Sequence, residues 1–301
     1  MTLRPEAQAY LDSVRDVPQP FECSLDAFRA SIPAASVATP PSVTTEERTI
    51  AGGDGQPLRL RLYRPPSAGP HPAVVWAHGG SFVRGGLDDF DGARRMFCAL
   101  ADCVIIAVAQ RLSPETRFPG PLNDVYAALS WTSSNATAIA SHADWILVGG
   151  ESSGGNLAAA AARLAGERGG PGVAGQILVV PTLDAAPATE SACAFAVGYG
   201  LTRRQLEWAY ARYAPGAAPD DPLLSPLRAP SLAGLPPTVV VTAEYDPSRD
   251  EGERYADRLE EAGVRVWRSR VEGMVHHHLG QDGAMVALRL ARELLSAVRD
   301  S

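Results

Sequence analysis

From about residue 45 onward the chain alternates between short runs of β-branched and aliphatic residues and longer stretches whose apolar positions recur at helical spacing. Strands are expected at Glu47–Ala51, Pro57–Tyr63, Ala73–Ala77, Val104–Val108, Trp145–Val148, Gln176–Val180, Thr238–Thr242 and Arg265–Val271. Helices are expected between them at Asp91–Ala101, Pro121–Ser134, Ser153–Ala165, Arg249–Ala262 and Gly283–Val298. This is the sequence form of an α/β fold, an eight-stranded and mostly parallel sheet with helices on both faces.

Two regions break the alternation: residues 1–44 and the insert 185–226. Both carry helical or irregular patterns, with helices expected at Glu6–Val14, Leu25–Ser31 and Thr202–Arg212. Material inserted between strands of an open sheet lies over the edge where ligands bind, so the two pieces read as the halves of one helical cap. The catalytic domain is then 45–301, and the proline-rich patch Pro33–Pro41 reads as a linker into the first strand.

Composition narrows the function without choosing it. The net charge of -7 over 301 residues comes from scattered acids, and no Lys/Arg stripe suggests nucleic acid. Arg4, Glu6, Asp12, Arg15 and Asp16 interrupt any apolar leader, and no run is long enough for a membrane span. A cytoplasmic protein is expected. Cys23, Cys98, Cys103 and Cys193 have neither zinc-site nor redox spacing and read as free core thiols.

The chemistry is concentrated at strand ends. Gly150-Glu151-Ser152-Ser153-Gly154 fits G-x-S-x-G, after one expected strand and before an alanine-rich helix. A serine on so sharp a turn is forced into an unfavourable backbone conformation, and small residues two positions either side relieve the crowding. Ser152 is therefore the candidate nucleophile. His78-Gly79-Gly80-Ser81 follows the third strand, where backbone N–H groups could stabilise negative charge on a carbonyl oxygen. The expected donors are Gly79, Gly80 and Ser153, with His78 structural.

A serine nucleophile needs a base and an acid, and the expected chain order is serine, acid, histidine. Glu244-Tyr245-Asp246-Pro247 follows the seventh strand, and Gly273-Met274-Val275-His276-His277-His278 follows the eighth. Asp246 is the expected acid. Asp250 and Glu251 are rivals that read as first-turn carboxylates of the next helix, and Glu244 is a third rival. The residues barely favour one histidine over its neighbours. Adjacent ligands on an extended segment point to opposite sides, and no acid or cysteine accompanies the histidines at a familiar spacing, which argues against metal.

Taken together these motifs resemble the hormone-sensitive-lipase family of bacterial esterases, within the α/β-hydrolase fold. Arg111-Leu112-Ser113-Pro114-Glu115 with Phe118-Pro119 and Asp124–Leu129, the elbow Gly150–Asn156, Asp246-Pro247 with Asp250-Glu251-Gly252, and Gly273–His276 match the family in order. The resemblance covers nearly the whole chain and implies that His276 is the catalytic histidine. Departures are Ser81 for a third glycine, Ser153 for alanine, Gln110 for tyrosine before Arg-Leu, and His278 for an aromatic residue.

The resemblance implies hydrolysis of small or short-chain acyl esters through an acyl-enzyme, with no metal or organic cofactor. Ser81, Phe82, Phe195, Tyr199, Trp208 and Tyr210 are candidates to line the substrate pocket. The same triad would also serve a biosynthetic tailoring hydrolase or acyltransferase acting on one ester, lactone or amide. A catalytically silent small-molecule receptor is a third reading, disfavoured by the intact triad. The expected partner is a small ester, with a homodimer left open.

Overall fold

The computed structural model describes residues 2–31 and 43–300, so the expected linker Pro33–Pro41 lies outside the described residues. The strands are β1 Thr44–Ala51, β2 Pro57–Arg64, β3 Ala73–Ala77, β4 Val104–Val108, β5 Ile146–Glu151, β6 Gly175–Val179, β7 Thr238–Tyr245 and β8 Val266–Val275. They form one sheet in the order β1-β2-β4-β3-β5-β6-β7-β8. Only the β1–β2 and β2–β4 pairings are antiparallel. From β4 through β8 every neighbour is parallel.

The helices are α1 Pro5–Ser13, α2 Leu25–Ala30, α3 Asp91–Ala101, α4 Gly120–Ser134, α5 Ser153–Glu167, α6 Glu190–Ala194, α7 Arg203–Tyr213, α8 Arg249–Glu261 and α9 Gly280–Arg299. Alternation along each strand divides the core between the two faces of the sheet. Val75, Ala77, Ile106, Val148 and Leu178 pack with α4, α5 and α8 on one face. Val74, Trp76, Ile105, Leu147 and Ile177 pack with α3 and α9 on the other. β3 and β4 are buried along their whole length, which explains why they read as unbroken apolar runs. Ala158–Ala162 are buried in α5, and their small side chains let that helix lie close against the sheet.

The chain departs from the sequence pattern at several strand ends: β1 begins at Thr44 rather than Glu47, and β5 runs past the expected Val148 to Glu151. β7 and β8 run on to Tyr245 and Val275, past the expected ends at Thr242 and Val271. The extension contains Glu244, Glu272 and Gly273, which hide a strand pattern. A register shift between Ala243 and Tyr245 accommodates it, and the Gly273 N–H donates to the Glu244 carboxylate at 2.7 Å. The short α6 had no periodic signal. Cys98 and Cys103 are buried free thiols, whereas Cys193 is exposed and Cys23 half-buried, so only two of the four are core residues. No helix among the described residues is long and apolar enough to cross a membrane.

The N-terminal segment and the insert touch one another. Phe28 of α2 meets Trp208 of α7 edge-on at 5.4 Å, and Arg204 lies over the Phe21 ring at 4.0 Å.

Asp250 and Glu251 do not cap their own helix as expected. The Asp250 carboxylate accepts the Ser191 N–H of α6 at 2.7 Å. Glu251 is fully buried and accepts the N–H groups of Leu183 and Asp184 at 2.6 and 3.1 Å, which pins the chain leaving β6 onto α8. Burial, with the Asp184 and Asp246 carboxylates adding, pushes its pKa well above the usual 4.5, against the opposing effect of those two hydrogen bonds. The unfolded chain releases this proton near 4.5 and the folded chain holds it higher. Stability therefore falls as pH rises through that interval. A Glu251→Gln variant keeps the accepting oxygen and removes the titration. Its melting temperature relative to the wild type should gain more at about pH 8 than at about pH 4.5, and equal differences at the two pH values would contradict the buried-carboxyl account.

Candidate active site

Ser152 occupies the one-residue junction between β5 and α5, with φ 54° and ψ -122°. A non-glycine residue so placed stores roughly 1–3 kcal/mol of backbone strain, which the surroundings must hold. They do so through the backbone: the Ser152 N–H donates to the Val179 carbonyl at 2.9 Å, and the Ser152 carbonyl accepts from Asn156 and Thr182 at 3.2 and 3.3 Å. The flanking glycines are sterically required. A Cβ at Gly150 would lie 2.3 Å from the Gly154 carbonyl oxygen, and one at Gly154 would lie 2.2 Å from that of Ala77.

The other two candidates arrive from the ends of β7 and β8. His276 Nε2 is 2.8 Å from Ser152 Oγ, and His276 Nδ1 is 2.7 Å from Asp246 Oδ2. Both Asp246 and the His276 side chain are buried. The remaining Asp246 oxygen accepts the N–H and the hydroxyl of Ser248, each at 2.8 Å. Ser248 escaped the sequence reading. Its signal was the Asp-x-Ser spacing, in which an aspartate accepts the N–H two residues on and closes an Asx turn.

The three consecutive histidines diverge. The His277 ring stands at 90° to that of His276, and the His278 ring stacks on Tyr10 at 5.4 Å. Among the described residues no group of three or more His, Cys, Asp or Glu side chains is placed to hold a metal ion. Glu244, the third rival acid, is turned toward the Gly273 N–H instead.

Beside Ser152 lies the loop 78–86. Its non-glycine residues Ser81 and Phe82 have positive φ values of 58° and 62°, and Gly80 has φ 122°. At Gly80 a Cβ would approach the Arg84 carbonyl oxygen to 2.2 Å. Side chains from four other elements brace this strained loop. Ser153 Oγ accepts the Phe82 N–H at 3.2 Å, Gln110 Nε2 donates to the His78 carbonyl at 2.9 Å, and Gln205 Nε2 bonds Ser81 Oγ at 3.3 Å. Glu151 accepts from Arg94 at 2.6 Å and from the Trp76 indole. The two hydroxyls that depart from the family pattern, Ser81 and Ser153, are thus engaged in holding the loop. His78 is buried, stacks on Phe90 at 5.8 Å and donates from Nδ1 to the Gly79 carbonyl at 2.8 Å. Burial draws its pKa down, keeping the ring neutral.

One expected donor is redirected. The Gly79 N–H donates to Glu151 Oε1 at 3.1 Å, because the glutamate in the second position of the motif reaches back across the sheet edge. Gly80 and Ser81 have N–H groups with no acceptor among the described residues, and the Ser153 N–H lies in the first turn of α5, where no intrahelical acceptor exists.

The aromatic candidates divide. Phe82 stacks face to face on Tyr213 at 4.0 Å, and Tyr210 is buried with its hydroxyl on the Thr182 carbonyl at 3.1 Å, so both are packing residues. Trp208 packs on Phe28, and Phe195 on Tyr199 and Tyr245. Tyr199 lines a cavity of about 640 Å³ between the N-terminal segment and the insert, together with Tyr10, Arg84, Gln205 and His277. Ser152 is not part of the cavity wall. It adjoins the serine site on two sides, through His277 next to His276 and through Gln205 on Ser81.

A strand–serine–helix junction, a histidine and aspartate from the last two strand ends, and an adjoining glycine loop define an α/β hydrolase. Residues 74–279 match the family model described as the alpha/beta hydrolase fold. The chain belongs to that family, in its hormone-sensitive-lipase-like esterase group. It is 36% identical over 266 residues to the carboxylic ester hydrolase LipN of Mycobacterium tuberculosis, covering 85% of this chain and 70% of that protein. To the carboxylesterase NlhH of the same organism it is 38% identical over 245 residues, covering 79% and 76%. The solved hyperthermophilic esterase of Pyrobaculum calidifontis superposes with a TM-score of 0.90 at 34% identity, covering 99% of this chain and 100% of that one. The chain is a carboxylic ester hydrolase of the serine type.

The steric account of the elbow is testable by thermal unfolding. Gly150→Ala and Gly154→Ala each drive a Cβ into backbone that cannot rotate away, so each should cost roughly 3 kcal/mol or more, melt several degrees lower or fail to fold. Gly166→Ala in the same helix meets nothing within 4 Å and should hold or raise the melting temperature. Equal behaviour of the three variants would remove the close-approach argument.

Proposed function

We propose that Ser152, His276 and Asp246 form the catalytic triad of this esterase, and the observation that carries the proposal is the continuous chain of hydrogen bonds from Ser152 Oγ through both imidazole nitrogens to Asp246. Ser152 Oγ attacks the ester carbonyl carbon while its proton passes to His276 Nε2. The imidazolium that forms is held by Asp246, whose second oxygen is already satisfied by Ser248. The tetrahedral oxyanion is met by backbone N–H groups of Gly80, Ser81 and Ser153. Collapse of the intermediate breaks the bond to the alcohol oxygen, which takes the proton from His276 and leaves an acyl group on Ser152. Water, deprotonated by the same imidazole, then attacks the acyl-enzyme; the bond to Ser152 Oγ breaks, Oγ takes back the proton from His276, and the carboxylic acid is released.

The N-terminal helices and the insert 185–226 act in this reading as the two halves of one cap. Their mutual contacts support it, and so does the half-open cavity they form beside the triad. In keeping with the family resemblance, the substrates are esters with small or short acyl chains.

A fluorophosphonate probe should label Ser152 alone, as mapped by mass spectrometry of the digested protein. Labelling that persists in Ser152→Ala removes the proposal. His276→Ala should lower turnover by several orders of magnitude and His277→Ala far less, because only one imidazole meets the serine. Asp246→Asn should fold normally and lose about 10⁴-fold in kcat, the scale seen for a serine-protease triad.

Ser248→Ala provides a finer check on positioning. It takes one of two donors from Asp246 Oδ1 and leaves the triad atoms in place, so kcat should fall about tenfold with KM nearly constant. A change confined to KM would assign Ser248 to substrate binding instead.

A further inference from the structure

Arg84 follows the glycine loop directly, and its side chain leaves that loop toward the cavity of about 640 Å³. The stem of the side chain packs against Gly80, where a Cβ would come within 3.1 Å of Arg84 Cγ. One end of the guanidinium is anchored: Nη1 donates to the Phe28 carbonyl at 3.3 Å and to Ser31 Oγ at 3.0 Å, while the plane lies over the Phe28 ring at 4.0 Å. A guanidinium has five N–H donors. Those on Nε and Nη2 meet no acceptor among the described residues, and no carboxylate there forms an ion pair with Arg84.

Three other arginines near the site are neutralised. Arg94 pairs with Glu151, Arg111 with Asp124 and Arg29 with Glu115. Within the cavity wall, Asp12 is taken by Arg15 and by Gln8 Nε2. Among the described residues Arg84 therefore forms no ion pair; the Asp89 carboxylate acts on it only through space, and the guanidinium is held in the wall of a cavity next to the serine site.

Two further groups face the same space unpartnered. The Tyr10 hydroxyl and the His277 ring nitrogens have no hydrogen-bond partner among the described residues, and both residues line the cavity with Arg84. His277 is exposed on the cavity wall, beside Arg84. Tyr10 is held by its stack on His278.

We propose that Arg84, Tyr10 and His277 form an anion subsite that selects esters carrying a carboxylate remote from the scissile bond. The inference rests on the Ser152–His276–Asp246 reading for the chemistry and adds the substrate class. A carboxylate fits the unused edge of the guanidinium, where Nε and Nη2 lie side by side and can donate two parallel N–H bonds. The Tyr10 hydroxyl and His277 N–H would complete its shell. Arg84 is a specificity residue in this account and takes no part in proton transfer.

The test is the ratio of kcat/KM for a charged ester to that for its neutral counterpart, which an overall folding defect does not move. One arm compares the 4-nitrophenyl monoester of glutarate with 4-nitrophenyl pentanoate, placing the charge on the acyl side. The second compares 4-acetoxybenzoate with phenyl acetate, placing it on the alcohol side. In at least one arm Arg84→Gln should lower the ratio by roughly tenfold to a hundredfold, mainly through KM, with Arg84→Lys recovering part and Tyr10→Phe losing less. Ratios within about twofold of the wild type in both arms overturn the proposal. If Arg84→Gln does not fold, the wild type decides. The KM of the charged ester should rise severalfold between low and high salt while that of the neutral ester stays level, and parallel behaviour of the pair overturns the subsite. Hydrolysis of all four esters by Ser152→Ala at the wild-type rate would instead sink the triad reading, with the charge ratios still separately readable.

Discussion

The active site depends on one close approach, that of α5 to the ends of β3 and β5. At Gly154 the helix backbone lies so near the Ala77 carbonyl that a single methyl group could not be inserted, and Gly150 is under the same constraint from Gly154. This crowding leaves Ser152 no helical or extended conformation and drives it to φ 54°. The hydroxyl then projects from the carboxyl edge of the sheet, while the Ser153 N–H, one residue on, begins a helix with its donors unused. The proposed nucleophile and one of its proposed oxyanion donors are products of the same turn.

What surrounds the serine is organised from elements distant in sequence. β7 and β8 outrun their neighbours and deliver Asp246 and His276 to the same edge, with Ser248 fixing the aspartate and a closed chain of hydrogen bonds fixing the imidazole. The loop 78–86 cannot hold its left-handed residues alone. It is held by Ser153 and Glu151 of the serine turn, by Gln110 and by Gln205, contributed by three separate segments. Glu151 has a double effect. It secures the loop through the Gly79 N–H and thereby leaves the proposed oxyanion role to the next donors along.

The cavity wall shows a different economy of charge. Across most of the molecule arginines meet carboxylates, and a surplus of acids makes the chain negative overall. Arg84 escapes that pairing because its anchors are a carbonyl, a hydroxyl and an aromatic face, all uncharged. These fix the guanidinium in position without neutralising it, and the field it projects into the half-open cavity is screened less than it would be at a flat surface.

Much of this architecture was legible in the chain itself. The β3 and β4 runs are apolar because both faces of those strands are covered, and the Gly-x-Ser-x-Gly spacing is imposed by sterics that act within five residues. Local rules of this kind read directly from sequence, whereas the choice of His276 among three adjacent histidines rested on the resemblance to a known family. The boundaries of β7 and β8 did not read from the sequence, since Glu244, Glu272 and Gly273 belong to strands whose pairing outweighs their own propensity. Nor could the sequence show that Glu251 turns inward to hold Leu183 and Asp184, that Gly79 is claimed by Glu151, or that Phe82 and Tyr210 pack in the core. Each of these is a choice among partners dozens of residues apart. The sequence alone determined which residues could perform the chemistry, because turns, strands and helices are governed by near neighbours. Only the tertiary structure decided which donors and charges remained unpaired, because pairing is settled by the distances that folding creates.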